Sequence, residues 1–508
     1  MSSEPAGHYA AARIRAALVH FITGKLLSGA LGIATLLLTV RGLPVAEYGV
    51  YASLVATQLM LLAVSSLGIE PATERFVPEI RVSHAPAALA RLLLAGLCAR
   101  LLTLAVLMLV LMVAGRHLLG WLRLDAWQPA FEAYYKVIFA AGLFQMLSAA
   151  LEALLEQRRA QQAMMANAAL RCALVGYLVA ERRLDIAGVI LAEGCGLALG
   201  CALAALPLVG HVREAWRART EPGPHAAPRE LWRRMRRYAR YNYLAQCLMQ
   251  GYGQDMMRLL LTRFVGVAET ARYGFAVALS DMVNRYLPAV LFLRLIRPIF
   301  VSRYAVNRDF AQLNAFAALI MKLNLFVLAP LLALLAVHGD GIARLVGGAQ
   351  YADAGWLVFG VLLLLVPTSH QWTLSLLANT LECNELQMRG ALLGLLGLPA
   401  AYLGIRLLGE HGVLVGPYAS ATAYNAYATH YLRRLGYDYR QDYAGLARLL
   451  AAAGLAAGAA LLAGSLPYAV PLAGAVYLGA CYRLKPFSAD EQALLARGLL
   501  GIPWKRRV

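Results

Sequence analysis

Leu36-Leu37-Leu38-Thr39-Val40-Arg41-Gly42-Leu43-Pro44-Val45-Ala46-Glu47-Tyr48-Gly49 closes one apolar run and opens the next. It has an echo far along the chain, where Leu259-Leu260-Leu261-Thr262 precedes Gly266-Val267-Ala268-Glu269-Thr270-Ala271-Arg272-Tyr273-Gly274. The two Tyr-Gly pairs lie 225 residues apart, each at the corner between a first and a second apolar segment. A second echo sets Ala126-Trp127 against Tyr351-Ala352-Asp353-Ala354, each just ahead of a fourth segment. The pattern predicts six helices repeated as six more. Because six is even, both halves then share one orientation in a membrane.

The chain has 508 residues, 60% of them hydrophobic and 15% charged, with a mean hydropathy of +0.59. Soluble globular proteins average about 45–50% apolar and about 25% charged. Length alone would suggest about three soluble domains, but these would need polar surface that the chain lacks. A soluble enzyme, a disordered chain and a secreted disulfide scaffold are excluded. An all-α integral membrane protein remains.

Apolar windows that can cross a ~30 Å hydrocarbon core predict about fourteen transmembrane helices. They are 17–40, 48–69, 92–114, 134–154, 164–181, 186–209, 241–262, 273–296, 315–337, 354–377, 390–408, 413–431, 443–464 and 466–482. The predicted organisation is a cytoplasmic N-terminus (1–16), an N-lobe of six spans (17–209), a basic cytoplasmic linker (210–240) and a C-lobe of six (241–431). Two additional helices (432–482) and a cytoplasmic C-terminus (483–508) follow. No small-x-small cleavage site follows a short apolar core near Met1, so the first run is read as a retained helix.

The net charge is +19, and 42 of the 47 basic residues are arginine. They are scattered between apolar runs with no nucleic-acid-binding motif, which argues against nucleic acid. With the N-terminus inside, cytoplasmic segments hold 29 Lys and Arg and outward loops hold 8, favouring N-in and C-in. The linker alone has nine arginines, and Trp232-Arg233-Arg234-Met235-Arg236-Arg237 within it reads as an amphipathic helix on the inner leaflet. The alternative is a basic loop that only sets topology. Seven cysteines form no CxxC and read as small hydrophobes, not as a metal or disulfide set.

No nucleophile motif, P-loop or zinc signature is present, so the chain reads as neither an enzyme nor an ATP-driven pump, with no metal or cofactor expected. It does place ionisable residues inside spans, where lipid makes them costly and they face protein or a watery cavity. Lys25 lies about nine residues into span one and Lys322 is comparably deep in span nine; both are candidate substrate-binding charges, with a structural role as the alternative. Span seven sets Asn242, Gln246, Gln250, Gln254 and Arg258 at i+4 intervals, with Asp255 beside them. That row lines either a cavity or a hydrogen-bonded seam between helices. Asp255 and Arg258, at i+3, can neutralise one another. In span eight, Asp281 and Arg285 share a face ahead of Pro288, either as an ion pair or as a proton-exchanging acid beside an anion-binding arginine. Arg100, Arg171, Glu193 and His370 are weaker candidates, Glu193 as an ion-coupling or ion-pair acid.

These elements resemble the polysaccharide-transporter branch of the multidrug/oligosaccharidyl-lipid/polysaccharide exporter superfamily, and within it the Wzx-type oligosaccharide flippases. The resemblance rests on Gly42 to Tyr51, on Ser66-Leu67-Gly68-Ile69-Glu70 with Arg75, and on their counterparts Thr262 to Gly274 and Leu345-Val346-Gly347-Gly348 to Ala354. It covers about residues 17–431. It implies alternating access of two lobes around a cationic central cavity, and carriage of undecaprenyl-diphosphate-linked glycan across the bacterial inner membrane. The related lipid II flippase uses a basic residue in its first helix, and Lys25 is the matching position.

The expected function is therefore translocation of a lipid-linked oligosaccharide for O-antigen or exopolysaccharide synthesis, driven by an H+ or Na+ gradient. Lys25, Arg258, Arg285 and Lys322 would meet the substrate, while Asp255, Asp281 and Glu193 would couple ions or form ion pairs. Expected partners are the lipid-linked oligosaccharide, membrane lipids and polysaccharide polymerase or assembly proteins. A cavity is expected between spans one, two, seven and eight. Rival readings are a lipid II flippase, a drug/cation antiporter of the same fold, which should show unpaired acids, and a membrane-embedded polysaccharide polymerase or ligase.

Overall fold

A computed structural model describes residues 11–83, 86–217, 228–288, 309–381 and 383–496, and among them every regular element is helical. Nine helical stretches there are long and apolar enough to cross a membrane. The apolar windows fall in order on single helices or consecutive pairs, the end of the eighth lying outside the described residues. Large apolar side chains face outward as they do in lipid: Leu102, Leu109, Met112 and Val113 on one helix are 61–75% exposed. The chain is a multi-pass membrane protein with two compact units, Met1–Ala271 and Arg272–Val508.

The first unit contains α1 (Ala11–Gly42), α2 (Val45–Ser65), α3 (Ile69–Ser83), α4 (Pro86–Leu122), α5 (Gln128–Ala153), α6 (Gln157–Ala180), α7 (Ile186–Arg217), α8 (Pro228–Gly251) and α9 (Gln254–Phe264). Its boundary lies beyond the basic segment expected to link two lobes. Packing is close at the Tyr-Gly corner: a Cβ on Gly49 would stand 1.9 Å from the Val267 carbonyl oxygen, so only glycine lets α2 approach that turn. Ser53 and Thr262 hydroxyls bond at 2.8 Å across the same contact.

Residues 210–240 are helical at both described ends, as the end of α7 and the start of α8; residues 218–227 lie outside the described residues. The expected surface helix is the leading part of span seven. Met235 is buried in a core with Phe76, Val77 and Leu151, and Tyr238 meets the Phe76 ring edge-on, so this stretch docks on α3.

The second unit contains α10 (Val267–Arg285) from Arg272 onward, α11 (Phe310–Gly347), α12 (Gly355–Leu363), α13 (Leu365–Thr380), α14 (Asn384–Gly394), α15 (Gly397–Leu408), α16 (Val415–Arg434), α17 (Tyr443–Ala463), α18 (Leu466–Leu484) and α19 (Ala489–Ala496). Leu449, Ala452, Ala456 and Ala460 form one face of α17, packed with Ala329 and Ala333 of α11 and with Ala469 and Ala473 of α18. Small side chains bring the helices close, where dispersion can hold them together in lipid. Tyr477 of α18 donates to the Phe326 carbonyl at 3.0 Å.

The repeat extends to contacts within each unit. Ile186 N–H donates to Glu47 at 2.8 Å, tying the start of α2 to that of α7. Arg272 donates to Glu410 at 2.9 Å, tying α10 to the 3-10 turn leading into α16. Residues 47 and 272 are 225 apart, and 186 and 410 are 224 apart. The Ala126-Trp127 and Tyr351–Ala354 echoes both lie in 3-10 turns.

Candidate functional site

The polar residues of the first unit converge on a cavity of about 510 Å³. Glu70 and Glu74 stand one turn apart on α3. Gln145, Ser148 and Glu152 occupy i, i+3 and i+7 on α5, so all three face one way. From the span-seven region come Gln246 and Gln250 of α8 and Asp255 of α9, while Ser66 enters from the turn after α2. Leu59, Leu62, Ala63, Phe144 and Met164 complete the wall.

Span seven breaks at Tyr252-Gly253, where Gly253 takes an extended conformation as N-cap of α9. The break interrupts the i+4 ridge and separates its roles. Gln246 and Gln250 line the cavity, Gln250 donates to Asp255 at 2.8 Å, and Arg258 turns into the protein with its guanidinium 3.0 Å from Asp255. The side chain of Asn242 lies outside the described residues.

Glu70 has a similar partner. Arg100 is fully buried behind it, with Nε 2.8 Å from the Glu70 carboxylate and Nη1 donating to Ser65 Oγ at 3.2 Å. The two arginines thus neutralise wall carboxylates from the dry side, where an unpaired charge would be most costly. No Lys or Arg is among the described residues that line this cavity. A cationic lining was expected, but here the arginines back the wall and the carboxylates and amides form its surface. This cavity draws on spans two, four, five and seven. Glu74, Gln145, Ser148 and Glu152 were not singled out from the sequence. The i, i+3, i+7 polar stripe within apolar span four was the available signal.

The other expected site residues lie apart. Lys25 is on α1, with its side chain outside the described residues. Glu193 is buried on α7, accepts a hydrogen bond from Tyr51 at 2.7 Å and lies 3.4 Å from Arg171, which also donates to Tyr51. That set joins α2, α6 and α7 at the last residue of the Gly42–Tyr51 motif. In the second unit, Asp281 and Arg285 are both exposed on α10. Lys322 is only 1% exposed; its ammonium lies 2.7 Å from Glu491, contacts Asp442 and donates to the Pro486 carbonyl. Two carboxylates therefore already match this charge.

No protein-family model matches the sequence, and no curated protein does. Solved structures match by shape. An inward-facing multidrug resistance MATE family transporter of the MOP superfamily aligns with a TM-score of 0.67 at 14% identity, over 84% of this chain and 100% of its own. The lipid II flippase MurJ, in an inward closed conformation, aligns with a TM-score of 0.66 at 11% identity, over 95% of this chain and 100% of its own. The MATE multidrug transporter DinF-BH gives 0.59 at 14%, over 85% and 97%. The fold is that of the MATE and MurJ transporters. At these identities the likeness concerns fold alone, and the site carries any argument about cargo.

Proposed function

We propose that the chain is a flippase that carries an undecaprenyl-diphosphate-linked oligosaccharide across the bacterial inner membrane by alternating access, for O-antigen or exopolysaccharide synthesis. The observation that carries this reading is the cavity wall. Three glutamines, two serines and four carboxylates offer dense donors and acceptors to a hydroxyl-rich cargo, with one aromatic ring among them. The fold shared with a lipid II flippase, over 95% of the chain, supports the same reading. A glycan in this cavity would leave its diphosphate to basic groups outside the cavity wall, and Lys25 is proposed as one that meets it during the crossing. The acids of the cavity, Asp255 first, are proposed to take the coupling ion, H+ or Na+.

A second reading, a cation or drug antiporter of the same fold, is favoured by one feature, the carboxylates on a wall without basic residues among those described. Deleting the gene and analysing the lipid fraction separates the two. A flippase leaves lipid-linked glycan accumulated on the cytoplasmic side and surface glycan depleted. An antiporter leaves both unchanged and sensitises the cell to cationic dyes.

A further inference from the structure

Helix α8 carries two unlike faces at its N-terminal end. On the packed face Arg234 donates to Glu79 of α3 at 2.9 Å and covers the Phe76 ring, beside buried Met235. On the other, Arg233, Arg236, Arg237 and Arg240 recur at i, i+3, i+4 and i+7, a stripe about 10 Å long on a single helical face. Arg233, Arg236 and Arg237 are exposed, and among the described residues none of the three has a carboxylate partner. Like charges at this spacing repel, and a helix gains nothing from them unless an anion answers.

The stripe borders a hollow of about 610 Å³, together with Ala239, Tyr243 and Leu67. Leu67 comes from the turn between α2 and α3. It is half exposed at a left-handed φ of 46°, and Gly68, at φ 75°, is pressed against the backbone of Ala239. A non-glycine residue held in that region is strained, and such strain marks sites where the surrounding structure dictates the conformation. The hollow and the polar cavity are lined by neighbouring residues of the same two segments. Leu67 follows Ser66 of the cavity wall, and Tyr243 precedes Gln246 by one turn.

We infer that this arginine face is a docking site for the diphosphate headgroup of a polyprenyl lipid, an inference that rests on the flippase reading. Guanidinium groups pair with phosphate oxygens in bidentate fashion, and the three of Arg233, Arg236 and Arg237, close together on one helix, can engage two linked phosphates at once. A headgroup held here leaves its sugars beside the cavity and its prenyl chain beside Leu67 and the bilayer.

The test uses the full-length protein in phosphatidylcholine nanodiscs, with undecaprenyl diphosphate as the probe and phosphatidylglycerol and inorganic pyrophosphate as comparisons. Replacing Arg233, Arg236 and Arg237 together by glutamine should weaken undecaprenyl diphosphate binding by about tenfold or more, with phosphatidylglycerol binding changed far less. The matching triple lysine variant keeps the charge but not the fork and should bind with intermediate affinity, above the glutamine variant, which separates lost charge from misfolding. Unchanged affinity in the glutamine variant overturns the site while leaving the flippase reading intact. An equal loss for phosphatidylglycerol also overturns it, reducing the face to a general anionic-lipid contact. A wild-type protein that does not prefer undecaprenyl diphosphate to phosphatidylglycerol overturns the flippase reading, and the site with it.

Discussion

Lys322 shows how far a single residue can be read. Its depth in an apolar run and the scarcity of lysine marked it from sequence, but its partners Asp442 and Glu491 lie 120 and 169 residues further on. Long-range pairing is invisible in one sequence, so substrate binding and structural fastening looked alike. Lys322→Ala should cost about 3 kcal/mol or more, because it strands two carboxylates against a buried site. The thermal midpoint of the purified protein in detergent measures this. Lys322→Met combined with Asp442→Asn and Glu491→Gln should recover much of the loss and keep transport. Lost transport in that stable triple variant would give Lys322 a direct part in handling cargo.

The pairing also sets a pH response. Burial pushes the Asp442 carboxyl up, but hydrogen bonds from the Lys322 ammonium and the Gly445 N–H, with the Lys322 charge, outweigh it and hold the group below the usual carboxylate range. A carboxyl lowered in the folded state adds stability above its unfolded pKa of about 3.9, and that contribution disappears as pH falls through the lower folded value. Unfolding midpoints measured on acidification below about pH 4 should fall more steeply in wild type than in Asp442→Asn. Lys25 is the other residue-scale case. If Lys25 meets the diphosphate as proposed, Lys25→Ala should lose most surface glycan in a complemented deletion strain, and Lys25→Arg should keep part of it. Full activity of Lys25→Ala at normal protein level would remove it from the site.

At the scale of elements, hydrophobic patterning located the helices well because lipid demands long apolar runs with self-satisfied backbones. It missed what glycine and docking do inside those runs. The break at Tyr252-Gly253 lay within one apolar-polar window, and its Gly251 and Gly253 were the only local sign. The helical start of span seven read as linker because its arginines hid the packed face of Arg234, Met235 and Tyr238. The Tyr48-Gly49 pair was legible as a repeat marker, whereas its physical reason, the approach to Val267, required three dimensions. Gly49→Ala should therefore destabilise the protein by about 1–3 kcal/mol through overpacking against backbone. Ala46→Gly on the exposed side of the same helix should cost about 1 kcal/mol or less. Thermal midpoints of the two variants decide it, and equal midpoints would mean that the corner yields without strain.

For the whole molecule, the charge count implies an orientation that helix geometry alone cannot supply. Reporter fusions at Arg15, Arg219 and Val508 should all behave as cytoplasmic; an external C-terminus would change the number of spans. The candidate cavity was legible only in part. Its span-seven members stood out in the sequence, while the α3 and α5 carboxylates were hidden among ordinary helix polars until the fold set them face to face.

The central claim concerns cargo, and a reconstituted system addresses it most directly. Proteoliposomes holding the protein and a fluorescent undecaprenyl-diphosphate disaccharide, with an imposed H+ or Na+ gradient, can be followed by the access of an external lectin to the sugar. The account predicts that labelled sugar crosses the bilayer well above the rate in protein-free vesicles. It also predicts that replacing Gln246 and Gln250 by leucine slows the crossing. Crossing no faster than in protein-free vesicles, while the same vesicles exchange tetraphenylphosphonium for the coupling ion, would contradict the account and make the chain a cation antiporter.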